Sequence, residues 1–120
     1  MAPVPHSRRL FGDAGERAAE AELVRRGMRI VARNVRTRYG EIDLVCHDRH
    51  GFVFVEVKTR RATSFVPAVE AVDRLKLFRL SHLAEAWLAL HGLRYAPWRI
   101  AILAITVGSA GSVSQLIEVA

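Results

Sequence analysis

Two neighbouring stretches of this chain are dense in β-branched and aromatic residues, Ile42-Asp43-Leu44-Val45-Cys46 and Phe52-Val53-Phe54-Val55-Glu56-Val57, and both read as strands. The polar Asp48-Arg49-His50-Gly51 between them suits a tight hairpin turn. With Asp48 paired to Gly51 and a regular register, Asp43 lies directly opposite Glu56 and Glu41 opposite Lys58. Alternation then assigns Ile42, Leu44, Cys46, Val53, Val55 and Val57 to one apolar face. Glu41, Asp43, Glu56 and Lys58 share the other.

The remaining pattern supplies the rest of a domain. A first helix is expected from near Asp13 to near Gly27, where glycine provides a C-terminal cap. Met28 to Arg36 reads as a strand with Ile30 and Ala32 on one face and Arg29, Val31 and Arg33 on the other. After the hairpin come a basic loop at Arg60-Arg61-Ala62-Thr63-Ser64 and a long helix from about Asp73 to His91. Leu77, Leu80, Leu83, Ala84, Trp87 and Leu88 form the apolar stripe of that helix. Trp98 to Val107 suits a buried central strand, and Val113 to Val119 an edge strand. The order αβββαβ with an added C-terminal strand predicts an α/β fold, a central mixed sheet flanked by helices. The strand-helix-strand step is expected to be a parallel crossover. Residues 1–11 are expected as a flexible basic N-terminus and 12–120 as a single domain.

Composition narrows the setting. At 120 residues and 51% hydrophobic, the chain supports one core. No apolar run reaches the ~18 to 20 residues of a membrane span, and the N-terminus lacks the apolar segment of a secretion signal. Cys46 is the single cysteine, which makes a reducing cytoplasm the simplest expectation. A net charge of +6 favours an anionic partner. No membrane partner is expected, and homodimerisation is left open.

The carboxylate pair carries the chemistry. Asp43 and Glu56 facing one another across two strands repel unless a cation sits between them. Of 18 basic side chains only Lys58 and Lys76 are lysine, and Lys58 stands beside the pair. Lysine is a compact charge that can orient a water, whereas arginine is planar and permanently charged. The set therefore suits Mg2+ or Mn2+ on Asp43, Glu56 and the backbone carbonyl of Val57, with Lys58 at the attacking water or a phosphate oxygen. Glu41, opposite Lys58, is a candidate supporting residue that tunes the lysine; the alternative is an ordinary half-exposed hairpin with solvated charges, in which Glu41 and Lys58 form a surface ion pair. Arg33, Arg36 and Arg38, with Arg60 and Arg61 beyond the second strand, are candidates for phosphate contacts, or else a solvated edge. Lys76 could approach the phosphate or simply be a solvated helix lysine. His47 and His50 flank the turn and read as loop polarity.

The Asp43 and Glu56-Val57-Lys58 arrangement resembles the PD-(D/E)xK nuclease superfamily, which includes restriction endonucleases and archaeal Holliday-junction resolvases. More closely, the chain is similar to the small bacterial YraN-type family of restriction-endonuclease-like proteins. The likeness runs through Gly15-Glu16-Arg17-Ala18-Ala19, Arg33-Asn34, Gly40-Glu41-Ile42-Asp43-Leu44, Phe54-Val55-Glu56-Val57-Lys58-Thr59-Arg60, Pro67, Ala71-Val72, Lys76 and Arg99. Two positions depart from that family's pattern: Ile100-Ala101 follows Arg99 where an aromatic and an aspartate are usual, and Phe65-Val66 stands where Phe-Gly is expected. The resemblance implies a restriction-endonuclease-like core, a metal-dependent endonuclease acting on DNA, including branched or structured DNA, and a place for Glu16 in the metal site. Glu16 has a second reading, because Asp13-Ala14-Gly15-Glu16 has the spacing of a capping box. The rival function is a non-catalytic nucleic-acid-binding protein on the same fold.

Overall fold

The computed structural model describes residues 6–62 and 73–119, with the backbone alone for residues 6–14. The elements follow as α1 (His6–Arg25), β1 (Arg29–Thr37), β2 (Gly40–Asp48), β3 (Gly51–Arg61), α2 (Arg74–Leu90), β4 (Trp98–Gly108) and β5 (Gly111–Glu118). This is the α/β order expected from the pattern. The α1 start is a correction: helix begins at His6 rather than near Asp13. Asp13 is therefore interior to the helix, and an N-cap needs non-helical backbone ahead of the first turn, so the capping-box reading of Glu16 falls. Of the expected flexible tail 1–11, residues 6–11 are helical.

Both helices end as their glycines direct. Gly27 takes φ +90°; its N–H donates to Val24 O at 3.0 Å while Met28 N–H donates to Leu23 O at 3.0 Å. This double closure needs a residue in left-handed conformation, which glycine adopts without a Cβ penalty. Gly92 repeats the arrangement, with Leu93 N–H reaching Leu88 O at 2.8 Å. At its other end α2 is capped by Asp73, whose carboxylate accepts the Leu75 and Lys76 amides. That cap sets Lys76 in the first turn.

The five strands form one sheet in the order β1-β2-β3-β4-β5. β3 and β4 are parallel, joined through α2, and the other neighbours are antiparallel. β3 runs further than the pattern suggested: Arg60 and Arg61, expected in a loop, pair with Thr106 and Val107 of β4. Ala62 still donates its N–H to Val107 O at 2.8 Å; Thr63-Ser64 of that expected loop lie outside the described residues, as do Phe65-Val66, Pro67 and Ala71-Val72.

The sheet separates two apolar layers. Ala19 and Leu23 of α1 pack on Leu44, Cys46, Val53, Val55 and Leu103. On the opposite side, Leu80, Leu83, Ala84, Trp87 and Leu88 of α2, the stripe seen in the sequence, pack on Val45, Phe54 and Ile100. Trp87 meets the edges of Phe52 and Phe54 at 5.7 and 5.9 Å. Ala101 is fully buried in the α1 layer. β1 departs from simple alternation. Ile30 pairs with Cys46 and Ala32 with Val45, so Val31 is an extra residue, a bulge that turns the strand over. Ile30 therefore joins the α1 layer and Ala32 the α2 layer, not one shared face. No helix among the described residues is long and apolar enough to cross a membrane.

Candidate functional site

β2 and β3 pair in the expected register from Asp48↔Gly51 to Leu44↔Val55, and there the ladder stops. The direct opposition of Asp43 to Glu56, and of Glu41 to Lys58, does not form; Glu41 instead pairs with Arg36 of β1. The cause is a reversal of faces. Leu44 packs in the α1 layer, whereas Ile42, two residues before it, packs under α2. β1 reverses alongside, between Arg33, which bonds Glu20 of α1, and Val35, which packs in the α2 layer. Asn34 lies between them at φ +49°, a conformation asparagine tolerates better than most residues. Burying Ile42 is worth ~1.5 to 3 kcal/mol, more than the ~1 kcal/mol of a single rung of strand pairing.

The strands thus fork at Asp43, and the carboxylate fills the gap. Asp43 Oδ2 accepts the Val57 N–H at 2.8 Å, taking the place of a β2 carbonyl. In an extended strand a residue's C=O points to the same side as its N–H, so the Val57 carbonyl also faces Asp43. Asp43 and Glu56 line one cavity of about 170 Å³ with Tyr39, Glu41, Lys76, Arg79 and the apolar Leu80 and Leu83. The two carboxylates meet at the mouth of a fork rather than across the flat ladder expected from the pattern. Burial pushes the Asp43 carboxyl above the usual carboxylate range; the Val57 N–H opposes this, while the charges of Glu56 and Glu41 reinforce it.

Glu56 is only 12% exposed and holds two cations. Lys58 Nζ lies 3.5 Å from Oε1, and Lys76 Nζ contacts the same oxygen more closely. Lys76 is thus ion-paired to Glu56, though its side chain remains partly open to solvent. Burial works against its ammonium, but the contact with Glu56 prevails and its pKa lies above the ordinary lysine value. Arg79 and Tyr39 join the cavity lining without having been expected from the pattern. Arg79 was accessible to the helical period, standing three residues after Lys76 and so on the same side of α2; Tyr39 had no such signal.

Glu16 is half-buried on α1 and is not among the residues lining the cavity. Among the described residues no three or more His, Cys, Asp or Glu side chains gather where they could hold a metal ion. The donor set is therefore two carboxylates and a carbonyl. Among the described residues, bonds occupy Oδ2 of Asp43 and Oε1 of Glu56, and the second oxygen of each carboxylate has no such partner. These are hard oxygen donors of the type magnesium accepts, with waters completing the shell, so the residues present fit that ion.

The arginines divide. Arg33 is held by Glu20 at 2.8 Å. Arg25 and Arg26 are both on Glu22. Arg38 lies over the Tyr39 ring at 4.9 Å, and Arg60 donates to Thr106 Oγ1 at 3.2 Å. Arg36 and Arg61 are exposed. Arg99 binds Asp48 through two nitrogens and Glu118 through its Nε, tying β4 to the β2–β3 turn and to β5.

Comparison with known proteins places the chain among relatives. The profile of Uncharacterised protein family UPF0102 matches residues 15–105. A UPF0102 protein of Symbiobacterium thermophilum is 47% identical over 103 residues, covering 86% of this chain and 87% of its own. Another, from Roseiflexus castenholzii, is 46% identical over 99 residues, 82% of this chain and 80% of its own. A solved structure of Pyrococcus furiosus SfsA in complex with Ca2+ is 21% identical with a TM-score of 0.41; the match covers 92% of this chain and 62% of that one. The family match spans Glu16, the fork at Asp43, Glu56 and Lys58, and the Arg99 anchor, and the chain belongs to the UPF0102 family.

Proposed function

We infer that this protein is a metal-dependent endonuclease of the PD-(D/E)xK type acting on DNA, with branched or structured DNA among its substrates. The observation that supports this reading is the fork, where Asp43, held by the Val57 N–H, and Glu56 line one small cavity with Lys58 on Glu56. Asp43, Glu56 and the Val57 carbonyl would hold a magnesium or manganese ion, which when bound supplies positive charge against the phosphate and lowers the pKa of water. Lys58 orients the attacking water or steadies a non-bridging oxygen. Arg36, Arg38, Arg60 and Arg61 bind the backbone without reading sequence. Glu16 would act from outside the cavity lining, as a support rather than a ligand. The net charge and the buried, single Cys46 suit a cytoplasmic nucleic-acid partner.

A second reading, a non-catalytic nucleic-acid-binding protein, draws support from the lack, among the described residues, of a third carboxylate placed to share an ion with the pair. One experiment separates them. Wild type and Lys58→Met are assayed on duplex, single-stranded, flap and four-way DNA and on RNA, in magnesium and manganese. The nuclease reading expects cleavage by wild type and its near loss in Lys58→Met, with binding close to wild type. Tight binding with no cleavage of any substrate by wild type establishes the binding module instead.

A further inference from the structure

Glu56 is met by ammonium groups from two different elements. Lys58 stands two residues along the same strand, and Lys76 reaches over from the first turn of α2 to make the closer contact with the same oxygen. The position of Lys76 is built into the fold. Asp73 caps the helix through the Leu75 and Lys76 amides, and Leu80 and Leu83 anchor that stretch of helix in the α2 layer. The side chain itself stays 47% exposed, so its four-carbon stem can carry the charge elsewhere. Around the pair, Glu41, Asp43 and Glu56 are balanced by Lys58, Lys76 and Arg79. A divalent cation bound by Asp43 and Glu56 would overturn that balance, because like charges beside one carboxylate repel. Lys76, in the closer contact with Oε1 and with the more exposed side chain, is the one an ion on that carboxylate would displace.

Building on the nuclease reading, we propose that Lys76 is a tethered counter-ion that a divalent metal displaces from Glu56, whereupon its ammonium binds a non-bridging oxygen of the phosphodiester. Lys76 is then a second catalytic lysine, and it couples metal binding to DNA binding. A phosphate contact that exists only once the metal is seated makes each ligand strengthen the other. Lys58 lies farther from Glu56 Oε1 and stays at its station on the strand.

The test uses the whole chain with Lys76→Met and Lys76→Gln, each confirmed as folded by its thermal transition. Manganese titrated calorimetrically without DNA should bind about 5-fold tighter to either variant than to wild type, because a competing charge is gone. Binding of labelled duplex and four-way DNA is then measured in EDTA and in calcium. In EDTA the variants should match wild type within about twofold, and in calcium they should bind about 5-fold or more weakly. Unchanged manganese affinity, or an equal loss of DNA affinity with and without calcium, overturns the exchange while leaving the metal site standing. A wild type that binds no manganese overturns the metal reading itself.

Discussion

Asp43 and Val57 are joined where the β2–β3 ladder ends, the carboxylate Oδ2 accepting the Val57 N–H at 2.8 Å. A side chain on one strand thereby takes over the bond that a main-chain carbonyl would otherwise make. The link also holds a carboxylate, burdened by burial and by two neighbouring carboxylates, at one fixed point beside Glu56.

Asp43→Asn should keep the bond, since an amide oxygen accepts the same N–H, and remove the burdened charge. Because the folded-state pKa of Asp43 is raised, the wild type loses stability as pH rises from the unfolded value of ~3.9 through the folded one. The variant should therefore be more stable by about 0.5 to 2 kcal/mol at pH 7 in EDTA, with the advantage shrinking toward pH 4. Urea unfolding across that range measures it; a destabilised Asp43→Asn at pH 7 refutes the account.

Asp48 titrates with the opposite sign. Arg99 holds its carboxyl down at about 2, so the pair's contribution is present above pH 4 and is lost as pH falls toward 2. With both groups still partly solvated, that contribution is about 1 kcal/mol. Asp48→Asn should flatten the fall in stability between pH 4 and pH 2, seen in acid-induced unfolding. An identical acid profile would remove Asp48 from the explanation.

DNA affinity should fall steeply with salt, and the arginines should not contribute equally. Replacing exposed Arg36 and Arg61 by alanine should reduce the slope of log affinity against log salt by about 0.9 for every duplex phosphate left without its guanidinium. Arg33→Ala, whose guanidinium is engaged by Glu20, should leave that slope nearly unchanged. Equal effects at all three positions would show that the Glu20 pair opens on binding.

Cys46 is fully buried in the α1 layer, and burial pushes its thiol up to about 12. Alkylation requires thiolate, so the native protein should resist iodoacetamide at pH 8 and react only as denaturant unfolds it. Labelling followed by mass spectrometry should track the unfolding curve, and rapid native labelling would contradict the packing.

The hairpin register from Leu44 to Asp48, the stripe of α2 and the glycine stops of both helices were legible in the chain itself. Each depends on neighbours a few positions apart, where alternation or the helical period maps sequence directly onto a face. That Asp43 and Glu56 lie near one another was legible too, since both line one cavity, but their direct opposition across a ladder was not. Counting faces along a strand holds only while the strand keeps its course, and Val31, Asn34 and Asp43 each interrupt it. Those interruptions follow from which layer best buries Ile30, Ala32 and Ile42, and that competition exists only once α1 and α2 cover opposite sides of the sheet. Lys76 likewise reaches Glu56, and Arg33 is drawn to Glu20, because packing sets two helices at fixed heights over the strands; positions that distant in sequence acquire a separation only when the layers close.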